Sequence, residues 1–295
     1  MSKTIITHNG QFHCDEVLAY TMLNKLFPDN VLIRTRDIDI ITNGDIVIDV
    51  GKVYDHSKCR YDHHQESCTE TFDGDTILLS SAGLIYRHYG RDYIKLIIGT
   101  ECEDGLYKDV YNNIIREVDA IDNGLKQAVT NKYYVNTGIS RMVGRMNGND
   151  NNDHEIQMIR FHEASNYIEL VLEIIIRDLY NKSKSFCNEY DLMCELLDNR
   201  GDKNYVVIEF ECINWRDCLK KYSETHKSCG VVDFLIYKDN NIWKIRNTFN
   251  KHLKDELYVL EHLTNPDDLI FIHKMKFIGS CKSLETAIEI AEMSK

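Results

Sequence analysis

In the segment THNGQFHCDE (7–16), His8, His13 and Asp15 set two imidazoles and a carboxylate within eight residues, with Gly10 between them to let the backbone fold back. Imidazole nitrogen and carboxylate oxygen suit Mn²⁺, Mg²⁺ or Fe²⁺. Asp49 is the last polar residue of DIVIDVG (45–51), where an apolar strand delivers one carboxylate just before a glycine. The two oxygens of such a group can bridge two cations. YDHHQ (61–65) places Asp62, His63 and His64 in succession, so neighbouring side chains point different ways. One histidine can ligate while the other reaches substrate, and Asp62 can orient a ring through its second nitrogen. In EVDAIDNG (117–124), Asp119 and Asp122 stand three apart, so on a helix either can reach the same ion.

Six or seven possible ligands in order along one region point to a two-cation centre. Divalent ions held ~3.5–4 Å apart acidify a water and stabilise charge on the attacking and leaving oxygens of a phosphoryl displacement. The expected reaction is therefore hydrolysis of a phosphoester. Arg34, Arg36, Ser81 and Arg141 are candidates for phosphate contact.

These groups must be positioned by regular elements, and the first ~125 residues alternate as an α/β unit does. The strand KTIIT leads to a helix over about 15–27, then to the strands NVLIRT and DIVIDV. Short continuous runs of Ile and Val fit strands covered on both faces, hence a largely parallel sheet. The polar motifs fall at carboxyl ends of strands, where open α/β sheets place their ligands. Ser80-Ser81 opens a further helix, and another covers about 107–121, stopped by Asn123-Gly124. The stretch GRMNGNDNND (144–153) reads as an exposed loop. It precedes a long amphipathic helix with a buried stripe at Ile168, Leu172, Ile175 and Leu179.

From about Asn199 the character changes. YVVIEF (205–210), VVDFLIYK (231–238), NIWKIR (242–247) and DLIFIHK (268–274) read as strands, followed by a helix opened by Ser283. Asp239-Asn240-Asn241 makes a hairpin turn between the middle two, since Asn and Asp tolerate positive φ. The expected architecture is α/β: residues 1–180 form a metal-binding domain with its linker helix, and residues 181–295 a smaller α+β substrate-binding domain.

Composition narrows the class. The 295 residues are 43% hydrophobic and 28% charged, the balance of a globular chain. No apolar run approaches the ~20 residues of a membrane span, and the first residues carry neither a signal core nor an Arg-rich transit segment. The expected location is the cytoplasm or nucleus. Ten cysteines without a CxxC pair point to reduced thiols rather than a zinc knuckle. A formal charge of −12 argues against broad gripping of duplex nucleic acid. Cations in an acidic cleft reverse the local potential, so a short or single-stranded end remains compatible.

THNGQFHCDE, RTRD (34–37), DIVIDVG, YDHHQ, SSAGLIY (80–86) and EVDAIDNG together resemble the melanocyte-proliferating-gene (MYG-one) family of metal-dependent hydrolases over nearly the whole chain. That family is similar to the DHH phosphoesterase superfamily. The resemblance implies a DHH-like N-terminal domain, a smaller substrate domain, two divalent ions (Mn or Mg, with Fe an alternative) and a 3′–5′ exonuclease acting on single-stranded RNA or short oligonucleotides. It also implies that Asp49 bridges the ions, that His63 ligates one and that His64 touches the scissile phosphate. His13 stands where the superfamily carries Asp, which makes the site less anionic. FIGSCKS (277–283) departs from the family's glycine- and histidine-rich turn; Gly279 is kept, the histidine is lost, and Lys282 can supply charge instead. The same ligand set would serve hydrolysis of pyrophosphate or a dinucleotide, and the altered turn also fits a non-catalytic nucleic-acid-binding protein.

Overall fold

The computed structural model describes residues 2–128, 130, 133, 135–149, 153–212, 214–226, 232–248, 263–274 and 276–294. The chain divides into two compact units, Met1–Tyr180 and Asn181–Lys295.

The first unit begins with β1 (Thr4–Thr7), α1 (Cys14–Leu26), β2 (Val31–Arg34), α2 (Ile38–Asn43), β3 (Ile46–Ile48), β4 (Tyr54–Asp55) and β5 (Arg60–Tyr61). The sheet order is β2-β1-β3-β5-β4. β1 pairs parallel with both β2 and β3, β3 pairs parallel with β5, and only β4 runs antiparallel at its edge. Alternation within the apolar strands explains their composition. Ile5, Ile46 and Ile48 enter the large core that α1 shares, whereas Ile6 and Val47 pack with Ile41 of α2 on the other face. Both faces are covered, so both sets of side chains are apolar.

Helices α3 (Ser81–Ile98), α4 (Asp104–Val110) and α5 (Arg116–Asp122) follow, the last two joined by a π-helical turn over Tyr111–Ile115. The sequence suggests one helix over about 107–121; the extra residue of the π turn is invisible to a 3.6-residue periodicity. Next come α6 (Ile139–Met146) and α7 (His154–Asp198), with the boundary between the units falling inside α7. Phe161, Ala164, Ile168, Leu172 and Ile176 of α7 are buried in the first core at helical spacing, and Ile175 and Leu179 pack partly buried beside them.

The stretch 144–153 is not simply an exposed loop. Its first residues end α6, and Asn147 is buried. Its amide bonds both the N–H and the carbonyl of Phe12, each at 2.8 Å, which satisfies a polar side chain inside the protein. Residues 150–152 lie outside the described residues.

The second unit holds β6 (Tyr205–Ile208), α8 (Trp215–Thr225), β7 (Phe234–Asp239), β8 (Ile242–Asn247), β9 (Leu269–Ile272), β10 (Ile278–Cys281) and α9 (Leu284–Met293). Its sheet order is β6-β7-β8-β10-β9, with β6 parallel to β7 and the other pairs antiparallel. Asn240 and Asn241 both have positive φ in the β7–β8 hairpin, as a tight turn of that kind requires. The sequence reads 277–283 as a turn, but Ile278–Cys281 is a paired strand. A Cβ on Gly279 would lie 3.1 Å from Ile272 and 3.3 Å from Ile245, so the glycine serves sheet packing. Among the described residues no helix is long and apolar enough to cross a membrane.

Candidate metal centre

Because β1, β3 and β5 are parallel, their carboxyl ends emerge on one sheet edge. The residues that follow are His8, Asp49 and the run Asp62-His63-His64, so three sequence-distant motifs converge by topology. The start of α1 adds His13, Asp15 and Glu16, and the end of α5 adds Asp122.

Asp49 is the hinge of the cluster. Its φ of 57° lies in the left-handed region, uncommon outside glycine and tolerated by Asp. One carboxylate oxygen lies 3.2 Å from His8 Nε2. The other lies 3.5 Å from His63 Nε2 and accepts a hydrogen bond from Ser81 Oγ at 3.1 Å. Burial works against its charge, but the His63 and His8 contacts prevail and hold the carboxyl well below its usual range.

On one side of Asp49, ligand atoms of His8, His13, Glu16 and Asp49 lie within 4.8 Å of one another; on the other, so do those of His13, Asp15 and Asp122. His63 Nε2 joins the second set, 3.0 Å from Asp122 and 3.9 Å from Asp15. His13 belongs to both sets, and Asp49 touches histidines of both sides.

The cluster passes a test of fitness for cations. Both oxygens of Asp15, Glu16 Oε1 and His63 Nε2 are buried without a hydrogen-bond partner among the described residues. Yet Glu16 Oε1 lies 3.0 Å from His8 Nε2, and His63 Nε2 is equally close to Asp122. The groups approach one another without hydrogen-bond alignment, as ligands aimed at a common point do. Buried charges without a partner are costly, and a divalent ion removes that cost. Burial, with Asp49, Glu16 and Asp122 close by, pushes the Asp15 carboxyl well above its ordinary range. His8 and His63 are also raised: burial lowers them, but their carboxylate neighbours prevail and raise each to about 10.

His64 is held differently. Its Nδ1 is 2.7 Å from Asp62, which also accepts from the His64 N–H at 3.0 Å and from the Lys52 N–H at 2.6 Å. The Asp62 bond raises the imidazole's pKa, against the effect of burial. The ring is half exposed. Two cavities meet at this ring and at His13. One, of about 380 Å³, is lined by Arg36, Ile38, Val50, Lys52 and Asp49 among others. The second, of about 670 Å³, includes Asp15, His63, Asp122, Asn123 and Ser140.

Several expected roles are corrected. Asp119 is wholly buried and accepts from the Ser80 N–H (3.0 Å), Ser80 Oγ (2.7 Å) and Tyr111 OH (3.1 Å). It anchors the start of α3 and is absent from the ligand groups, so Asp122 is the member of the pair that reaches the centre. Arg34 is no phosphate contact: it is buried, donates to the Gly10 carbonyl at 2.7 Å and stacks on Phe12 and Phe161. Ser81 is buried against Asp49 instead of facing substrate. Arg141 is exposed on α6 and lines neither cavity, although Ser140 and Gly144 do. In the second unit, Lys282 Nζ donates to the Asp267 carbonyl at 2.7 Å. Arg36 alone of the five stands open on the cavity wall.

Two residues that shape the cluster escape the sequence reading. Glu16 faces His8 and accepts from the His13 N–H at 2.8 Å; its position three after His13 is the spacing of a capping box, the signal that could have found it. Asn147 clamps Phe12 in the loop that carries His8 and His13. Asn147→Ala leaves both Phe12 backbone groups unpaired, at a cost of about 2 kcal/mol. A lower Tm and weaker Mn²⁺ binding in isothermal titration are expected; wild-type values for both would contradict the clamp.

An α/β protein with a histidine–carboxylate centre at the ends of parallel strands is the class that fold and site define. The family model described as an uncharacterised protein family, UPF0160, and named for MYG1 exonucleases matches residues 4–294. The chain belongs to this MYG1 family. It is 33% identical to the MYG1 exonuclease of Bos taurus over 97% of this chain and 82% of that protein. Identity to a MYG1 protein of Caenorhabditis elegans is 39%, over 99% and 94%. Among solved structures, RecJ in complex with Mn²⁺ from Thermus thermophilus aligns at 12% identity with a TM-score of 0.30, covering 99% of this chain and 51% of that one.

Proposed function

We propose that this chain is a metal-dependent phosphodiesterase that removes nucleotides from the 3′ end of single-stranded RNA, using two divalent cations held on either side of Asp49. The observation that carries the reading is the set of buried, unpartnered ligand atoms of Asp15, Glu16 and His63 around a carboxylate touched by histidines on both oxygens. The exonuclease names of the mammalian relatives support a nucleic-acid substrate. His8, His13, Glu16 and Asp49 would hold one ion; Asp15, Asp49, His63 and Asp122 would hold the other. When bound, such ions acidify a water and stabilise charge on phosphoryl oxygens.

The protein's own groups then account for orientation. Asp62 fixes the His64 ring through Nδ1, leaving Nε2 to donate to a phosphoryl oxygen as charge develops on it. Ser81 and the Tyr61 carbonyl hold Asp49, the latter by accepting its N–H at 3.2 Å. Arg36 and Lys52 on the first cavity wall supply positive charge for a neighbouring phosphate.

A 5′-labelled single-stranded RNA incubated with Mn²⁺ is expected to shorten stepwise from its 3′ end. Release of product from pyrophosphate or dinucleotides alone would replace this reading with a small-molecule phosphoesterase, and absence of turnover on every substrate would favour a binding protein. His64→Ala is expected to lower kcat by about 10²-fold while Mn²⁺ binding stays at the wild-type level. Loss of metal binding in that variant would make His64 a ligand instead.

A further inference from the structure

The second unit carries another group of metal-ligating side chains, apart from the centre above. Glu189 of α7, Cys212, and Cys218 of α8 bring three ligand atoms within 4.8 Å of one another. Glu189 is 3% exposed and Cys218 fully buried. Cys212 is half-buried on the wall of a cavity of about 530 Å³ that Phe210, Trp215 and Tyr237 also line.

We propose that Glu189, Cys212 and Cys218 form a binding site for a thiophilic divalent cation of the zinc class. Two sulfurs and a carboxylate favour zinc over Mg²⁺ or Ca²⁺, which prefer oxygen-only shells. The spacing fits: bonds of about 2.3 Å to sulfur and about 2.0 Å to oxygen at a tetrahedral angle separate the two atoms by about 3.5 Å. Cys212 Sγ lies 3.4 Å from Glu189 Oε2, to which it donates. The frame is built. Glu189 also accepts the Asn214 N–H at 2.7 Å, and the Asn214 amide donates to the Lys182 carbonyl and Ser185 Oγ of α7, each at 2.9 Å. The segment bearing Cys212 is thereby pinned to the helix bearing Glu189 before any cation arrives. Binding replaces the two thiol protons by one cation, releasing two protons to solvent. The cavity beside Cys212 leaves the fourth position to water or a small ligand.

The test is Co²⁺ titration of the reduced full-length chain, followed by thiolate-to-cobalt charge-transfer absorption. Among the described residues the ligand groups of the N-terminal centre hold only imidazoles and carboxylates, so a band lost with Cys212 or Cys218 reports the second site. Expected is a saturable band equal to one cobalt per chain, displaced by Zn²⁺ and absent in Cys212→Ser and Cys218→Ser. Glu189→Gln is expected to weaken binding by about 10-fold or more. No band in the wild-type chain, or a band surviving both serine variants, would overturn the site; unchanged affinity in Glu189→Gln would overturn the three-ligand assignment. If Cys218→Ser loses its far-ultraviolet circular dichroism, the half-exposed Cys212→Ser decides.

Discussion

Asp49→Asn is expected to lower metal-dependent hydrolysis by about 10³-fold, on the order of 4 kcal/mol of transition-state stabilisation, while the chain stays folded. Asparagine keeps the shape and can still accept from Ser81, but one of its two terminal atoms becomes an N–H₂ donor. That atom cannot ligate a cation and would face a histidine nitrogen on whichever side it occupied. The loss should appear in kcat on RNA, together with weaker Mn²⁺ binding, and with circular dichroism unchanged. Activity within a few-fold of wild type would remove Asp49 from the centre.

The second large effect separates the two aspartates of α5. Asp122→Asn is expected to abolish metal-dependent turnover with little change in Tm, because Asp122 is partly exposed and its carboxylate meets His63. Asp119→Ala is expected to do the reverse first, destabilising the fold by about 3 kcal/mol. It strips acceptors from the buried Ser80 N–H, Ser80 hydroxyl and Tyr111 hydroxyl. Gly83 is part of the same arrangement, since a Cβ there would fall 2.5 Å from Asp119 Oδ2. Urea melts of both variants beside Mn²⁺ titrations check the split. A stable, metal-free Asp119→Ala would exchange the two roles.

That pair illustrates what the sequence can and cannot say. Spacing of three on a helix places both carboxylates on one face, but only packing decides which meets the start of α3 and which meets His63. The candidate ligands at strand ends were legible because an apolar strand ending in a polar residue has few places to put it. His8, Asp49 and His63 are of this kind. Arg34 and Ser81 were misread for the opposite reason: a donor near a phosphate-cleaving motif suggests substrate, and nothing in spacing reveals that each is consumed by a buried partner. Asn147 lay in a Gly, Asn and Asp stretch whose composition signals solvent, although its amide closes a backbone pair 135 residues away. In the fold, the continuous apolar runs marked their strands. The two-residue strands β4 and β5 and the six-residue α2 were too short to show a period, and β10 was hidden behind a motif comparison that suggested a turn.

The cation centre itself is tested most directly by anomalous diffraction from crystals of the protein grown with Mn²⁺. Two manganese peaks are expected, one against His8, His13 and Asp49, the other against Asp15, Asp122 and His63, with Asp49 in contact with both. A single peak that Asp49 does not touch, or none near these residues, would contradict a two-cation centre built on that carboxylate.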